Sequence, residues 1–371
     1  MGKYRVCVYA ICKNESQFAA RWMESMAEAD GIYVLDTGST DGTPGLLRGL
    51  GAIVEEAAIT PWRFDAARNR SLELVPSEAD ICVCTDLDEV FTPGWRAALE
   101  AAWGKGVSRL RYKYVWSFTP EGKEDVVFYG DKIHARQGYA WVHPVHEVLR
   151  PEGHEISALA EGVQLNHHPD PAKSRAQYLP LLELAVAEDP EDDRNMHYLG
   201  REYLFRGRWE DCIRTLRRHL ALPRATWRDE RCASWRYMAR AYAALGREDD
   251  RESCLLRAAA EAPWLREPWL DCARRAYEKK DWAGVLYFCR RALAIASQPQ
   301  TYIAEAACYG ALPHDLLSVA CWHLGLRQEA LSAARRALAL APGDRRIRGN
   351  VAWMEGEKAR TSPAIHPHTY N

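Results

Sequence analysis

Two aspartates one residue apart, Asp86 and Asp88, lie in the stretch CTDLDEVF, directly after a short apolar run. Carboxylates so spaced at the end of a buried strand share one lip. Hard divalent cations such as Mg2+ and Mn2+ take oxygen ligands and keep phosphate oxygens in their remaining positions. A cation held by one or two carboxylates and a diphosphate neutralises a departing phosphate. A third carboxylate, Asp36 in VLDTGSTDGT, suits a nucleobase N–H or a ribose hydroxyl. The sequence holds neither GxxxxGKS nor GxGxxG, so neither a P-loop nor a dinucleotide fold is supported.

The elements that must position these groups alternate. Arg5–Ile11 is short, apolar and β-branched, and reads as a buried strand. The following SQFAARWMESM sets Phe18, Trp22, Met23 and Met26 on one helical face. Ile32–Leu35 and Ala52–Glu55 read as strands, separated by a helix that starts at Thr43–Pro44 with a capping hydroxyl and an early proline. Phe64–Leu74 reads as a helix and Ile81–Thr85 as a buried strand. This order predicts a Rossmann-like, mostly parallel α/β sheet, which binds ligands at the carboxyl ends of its strands. The polar clusters Lys13–Asn14–Glu15, Asp36 to Thr43 and Asp86 to Glu89 fall at three such ends and make one convergent site.

The 371 residues are 47% hydrophobic and 27% charged, an ordinary globular composition for two or three domains. No stretch approaches the ~18 apolar residues of a membrane span, and the N-terminus carries no signal-peptide pattern. Eleven cysteines are scattered without a CxxC pair, which predicts free thiols in a reduced, cytoplasmic setting. The net charge of −2 hides an asymmetry: residues 1–193 hold 19 Lys/Arg against 31 Asp/Glu, and residues 194–371 hold 30 against 20. The contrast supports two domains. The basic, arginine-rich half either meets an acidic partner or docks on the acidic half.

The second half repeats itself. Residues 197–223, 234–263, 272–296 and 315–342 follow the tetratricopeptide pattern, with Leu199, Gly200 and Tyr203 in the first copy and RRALAIA recurring as RRALALAP. Stacked copies share one core and present a concave surface that docks a partner, stiffens an enzyme or forms a homo-oligomer. Residues 297–313 form a longer connection, and 361–371 read as a flexible tail.

Taken together, VCVYAICKNE, VLDTGSTDGT, FDAARNRSLE and CTDLDEVF resemble the family-2 glycosyltransferases of GT-A fold, in the branch that carries tetratricopeptide repeats after the catalytic domain. The resemblance implies a GT-A domain over 1–172 and an all-α repeat domain over 173–360. It implies a metal-dependent, inverting transfer from a nucleotide-sugar donor, UDP-linked, with Mn2+ or Mg2+ as cofactor. Asp36 would bind the nucleobase, with Lys13, Glu15 and Ser39 lining the same pocket. Asp86 would face the ribose or the metal, Asp88 would ligate the metal, and Arg68 would lie near the diphosphate. Many relatives read DADE where this chain reads DLDE; leucine at 87 keeps both carboxylates.

An inverting transferase needs a base opposite the leaving phosphate. Glu147, in RQGYAWVHPVHEVL, is the first choice and Asp131 the second; His146 would orient the base or face the metal, and His143 is nearby. A late histidine ligand is expected at His168 in LNHHPD, with His167 close behind. Trp116 and Trp141 are either sugar-stacking rings or core. The acceptor stays open between a peptide or protein side chain and a hydroxymethylated base of phage DNA. A saccharide-extending transferase and a catalytically inactive repeat scaffold are the alternatives.

Overall fold

The structure is a computed structural model that describes residues 2–119, 122–170 and 177–356. The expected domain boundary at 172/173 and the tail 361–371 lie outside the described residues. The chain divides into two compact units. One runs through Pro190 and takes in Gln300–Tyr302; the other comprises Glu191–Pro299 and the chain from Ile303 onward.

The first unit opens with the alternation that the sequence predicts: β1 (Val6–Cys12), α1 (Ser16–Ser25), β2 (Gly31–Asp36), α2 (Thr43–Gly49), β3 (Ile53–Glu56), α3 (Phe64–Glu73) and β4 (Ile81–Cys84). It continues through β5 (Glu89–Phe91), α4 (Trp95–Ala102), β6 (Arg109–Val115), β7 (Val127–Ala135), β8 (Tyr139–Val142), β9 (Val148–Pro151), β10 (Ser157–His167) and α5 (Tyr178–Glu188). Eight strands form one sheet in the order β3-β2-β1-β4-β7-β6-β10-β5, and β8 pairs with β9 separately. The β3-β2-β1-β4 half is parallel, while β7 runs antiparallel to β4 and β6. The sheet is therefore mixed and mostly parallel in its first half, followed by an all-helical second unit. Helix α5, which the sequence assigns to the repeats, belongs to the first unit.

Every residue of β1 is buried. Val6, Val8 and Ala10 pack with Trp22, Met26 and Trp95 on one face, and Cys7 and Tyr9 pack with Tyr139 and Trp141 on the other. A strand covered on both faces needs a continuous apolar run, which is why this segment is legible as buried. Trp22 is wholly buried yet polar at its edge, and its indole N–H donates to Thr85 Oγ1 at 3.1 Å. That bond ties α1 to the end of β4, next to the Asp86 turn.

Among the described residues the second unit comprises four helical hairpins and two further helices: α6 (Asp193–Phe205) with α7 (Trp209–Ala221), α8 (Arg228–Ala244) with α9 (Glu248–Glu261), α10 (Arg266–Glu278) with α11 (Trp282–Leu293), a short α12 (Ala306–Tyr309), α13 (Leu312–His323) with α14 (Arg327–Leu340), and α15 (Arg345–Met354). Each repeat read from the sequence corresponds to one hairpin. Many of its arginines are spent internally: Arg236 pairs with Asp271 and Glu305, Arg275 with Glu248 and Glu252, Arg346 with Asp315.

Gly200 sets the closeness of α6 and α7. A Cβ there would lie 2.3 Å from Leu216 Cδ2 and 2.5 Å from its Cγ, and Leu216 is itself wholly buried. Gly200→Ala gains about 1 kcal/mol of helix propensity, but overpacking of this kind costs about 1–3 kcal/mol. Urea unfolding of the variant should show a net loss of stability.

Candidate functional site

Because β1, β2 and β4 are parallel, their carboxyl ends share one edge. Cys12 stands in register with Asp36, so the loops after β1 and β2 are neighbours. They are laced together. Asn14, at a left-handed φ of 55°, accepts from the Thr40 N–H at 2.7 Å, and its own N–H donates to Ser39 Oγ at 2.8 Å. The Glu15 N–H donates to Thr43 Oγ1 at 2.9 Å, and Thr43 donates to Asp41. The expected capping role of Thr43 gives way to this latch: Gly42, with φ 82°, holds the cap position instead.

Asp36 is almost wholly buried, and its carboxylate shapes its own turn. Oδ1 accepts from the Gly38 and Ser39 N–H groups at 3.0 and 2.9 Å, and Oδ2 accepts from the Ser39 hydroxyl and the Cys12 thiol. A carboxylate offers about four acceptor positions, and all are engaged here. Lys13 is exposed on the same loop edge, whereas Glu15 is buried beneath it.

The DLDE turn is built around two groups that sequence reasoning left without a role, Glu89 and Lys132. Leu87 is wholly buried and anchors the turn in the core between the two aspartates. Glu89, buried beneath, accepts from the Asp86 N–H at 2.9 Å and from the Tyr114 hydroxyl at 2.7 Å. Burial pushes the Glu89 carboxyl up, against the pull of Lys132. Lys132 Nζ stands 3.4 Å from Asp86 Oδ2 and 3.6 Å from Glu89 Oε1. Burial works against its charge, but Glu89 and Asp86 outweigh it and hold the ammonium well above the usual lysine value. The one available signal for Lys132 is a lysine inside the alternating strand VFYGDKIHA.

Arg68, in α3, joins the separate pieces. It is only 4% exposed. Its Nη2 donates to Asp86 Oδ1 at 2.9 Å, Nε to Glu147 Oε1 at 2.5 Å and Nη1 to Cys84 Sγ at 3.3 Å. Its guanidinium also lies over the Trp141 ring at 5.2 Å. Burial opposes the charge of Arg68, and Asp86, Cys84 and Glu147 outweigh that cost. Trp141, 3% exposed, donates its indole N–H to Tyr9 at 2.8 Å. It is core packing under Arg68 and offers no face to a sugar.

Glu147 ends a loop in which His143 and His146 both take positive φ, 79° and 49°, a conformation uncommon outside glycine. The His146 ring stacks on Tyr178 at 5.7 Å, toward α5. Asp131 stands apart from this chain of contacts: it is 60% exposed and its ion pair is with Arg109 at 3.6 Å.

Of the two late histidines, the structure sets His167 against Asp88. His167 is the last residue of β10, in register with Glu89, and its Nε2 is 3.6 Å from Asp88 Oδ2. Its Nδ1 is 3.0 Å from the Trp116 carbonyl, which only an N–H there can satisfy as a donor. An imidazole that ligates a metal usually donates its other nitrogen in this way. Burial lowers the His167 pKa, but the hydrogen bond and charge of Asp88 override it and leave the value raised. His168, one residue past the strand end, gives its backbone N–H to the Asp88 carbonyl and stacks its ring on Phe118 at 5.7 Å. Asp88 and His167 thus form a facing pair of donors, whereas the Asp86 oxygens are directed to Arg68 and Lys132. Trp116, 42% exposed, stacks on His167 at 4.3 Å.

No family model matches this sequence. The chain is similar to the lipopolysaccharide core biosynthesis glycosyltransferase LpsC of Rhizobium meliloti (strain 1021), at 26% identity over 163 residues, 41% of this chain and 59% of that protein. The chain thus spans less than two thirds of that relative. Among solved structures it is similar to TTC0263, a thermophilic TPR protein of Thermus thermophilus, with 21% identity and a TM-score of 0.34 over 48% of this chain and 88% of that one. It is also similar to glucosyl-3-phosphoglycerate synthase of Mycobacterium tuberculosis, with 24% identity and a TM-score of 0.27 over 30% and 44%. Both structural likenesses are slight.

Two stability outcomes follow from these contacts. Arg68→Ala leaves the largely buried Glu147 without its cation and Asp86 with one cation fewer, Lys132 remaining, and should cost about 3–5 kcal/mol in denaturant unfolding. Asp41, although its partial burial works the other way, is held down at about 2 by the Thr43 hydroxyl and the Ser16 N–H. Its contribution is therefore complete above its ordinary value of 3.8 and is lost as the pH falls toward about 2. Thermal melts should show Asp41→Asn losing stability at pH 6 and converging with the parent near pH 2.

Proposed function

We propose that the first unit is a glycosyltransferase domain that takes a sugar from a nucleotide-sugar donor, and that the edge carrying Asp86 and Asp88 is its donor site. The observation that carries this reading is the Arg68 bridge. One buried guanidinium fastens Asp86, at the end of β4, to Glu147, on the loop between β8 and β9, which supports the reading that a donor-site carboxylate and a base belong to one site. The similarity to LpsC supports the same class of reaction.

Each group then has a task. The loops after β1 and β2, with Lys13, Glu15 and Ser39, hold the nucleotide, and Asp36 keeps their turn in shape. Arg68 and Lys132 are fixed cations beside the place where the diphosphate lies. Asp88 and His167 would hold Mn2+ or Mg2+, which would supply Lewis-acid neutralisation of the leaving nucleotide diphosphate, and Asp86, held between Arg68 and Lys132, would fix those two cations beside it. Arg68 engages only Oε1 of Glu147, and Oε2 takes the proton from the acceptor hydroxyl as the sugar inverts. Trp116, partly exposed beside His167, is the ring nearest to hand for the sugar. The donor is UDP-linked, by resemblance of the motifs.

For the acceptor, the similarity to a protein named for lipopolysaccharide core synthesis favours a saccharide over a peptide side chain or a DNA base. The internal pairing of many second-unit arginines removes part of the ground for a phosphate-binding surface.

The test is release of UDP from a panel of UDP-sugars with and without Mn2+. Asp88→Asn should lower turnover about 100-fold or more, and His167→Gln should weaken Mn2+ dependence by about 10–100-fold. His168→Gln should stay within about threefold of the parent. Turnover by Asp88→Asn within twofold of the parent overturns the reading, and equal effects at His167 and His168 overturn the ligand assignment.

A further inference from the structure

In the second unit, three side chains from three successive helices converge in the core. His197 of α6, His219 of α7 and Glu230 of α8 each offer one ligand atom, and these atoms lie within 4.8 Å of one another. Both imidazoles are wholly buried and the carboxylate is nearly so. Ser234, one turn along α8 from Glu230 and also wholly buried, places its Oγ 2.8 Å from His197 Nδ1 and 3.0 Å from His219 Nδ1.

The protons can be followed. A serine hydroxyl has two acceptor lone pairs and one donor proton. When it accepts from both Nδ1–H groups, each ring is left with a bare Nε2 lone pair. Both Nε2 atoms are buried and lack a hydrogen-bond partner. His219 Nε2 stands 3.3 Å from Glu230 Oε1 without the alignment of a hydrogen bond. A polar nitrogen left unpaired in a core is costly, and this core holds two of them, one beside a carboxylate.

That pattern is the one a metal requires. Imidazoles that ligate a cation donate their other nitrogen to a fixed acceptor, which sets the tautomer. Ser234 is placed to do this for two rings at once. Two imidazoles and one carboxylate are the donor set of Zn2+ and its first-row neighbours, whereas Mg2+ and Ca2+ prefer oxygen alone. Ligand atoms about 2.0–2.1 Å from zinc lie about 3.3 Å apart around a tetrahedron. The His219–Glu230 pair already has that spacing, and the widest separation needs to close by about 1.5 Å or less.

We propose that His197, His219 and Glu230 bind a first-row divalent transition metal, Zn2+ foremost, with Ser234 as the positioning residue. The ion would tie α6, α7 and α8, and so join the first two hairpins of the array. It is independent of the donor site in the first unit.

The test uses the full chain carrying Asp88→Asn and His167→Gln, which removes the first-unit donors, after stripping with a chelator. Titration with ZnCl2 should show one tight equivalent that survives desalting, and zinc should raise the melting temperature reversibly. Glu230→Gln and His219→Gln, added singly, should weaken that equivalent at least about 10-fold, with circular dichroism confirming that they remain folded. X-ray absorption on the zinc-loaded chain, which needs no further substitution, should show two imidazoles on the metal. Failure to retain one equivalent, an equivalent undiminished in both variants, or fewer than two imidazoles overturns the site. An unchanged melting temperature with zinc would mark the cluster as a hydrogen-bonded core alone.

Discussion

A guanidinium with almost no exposure to water is expensive to keep unless every donor finds a partner, and Arg68 finds three. Its partners come from stretches of chain far apart in sequence: Cys84 and Asp86 at the end of β4, and Glu147 on the β8–β9 loop. The sheet must be closed, α3 seated and that loop folded before the charge is compensated. The pairing works as a constraint on geometry more than as a source of stability, because desolvating three charges takes back much of the Coulomb attraction. Trp141, laid under the guanidinium and bonded to Tyr9, connects the same point to the centre of β1.

A second layer of charge lies beneath. Glu89 is buried with one oxygen on the Asp86 backbone and the other on Tyr114, and Lys132 balances it from β7. Asp86 therefore sits between two cations, one on each oxygen, at 2.9 and 3.4 Å. The rim contains more positive charge than its aspartates suggest, which suits a site that must hold a polyanion while releasing part of it.

The strands β1, β2 and β4 were legible because a parallel sheet covered on both faces demands unbroken apolar runs, and those runs end where the polar clusters begin. The later strands β6 to β10 mix exposed and buried positions, and β7 carries a bulge against β6, so period alone does not find them. Register decides between His167 and His168. Pairing with Glu89 turns the first toward Asp88, and one residue further on the strand has ended. The repeats were legible from their helical period and glycines. The meaning of their arginine excess was not, because ion pairing such as Arg236 with Glu305 joins residues 69 apart. The same holds for Asp36, whose partners in its own turn only a folded loop reveals.

All eleven cysteines are free and buried. Burial pushes their thiols up, to about 12 at Cys82, Cys212, Cys232 and Cys272 and about 11 at Cys254. Alkylating reagents attack the thiolate, so the folded chain presents them with almost nothing to modify. The native protein accordingly carries its own clock for local opening. Four of the cysteines lie in the first unit and seven in the second, and the order in which they become labelled reports which unit loosens first.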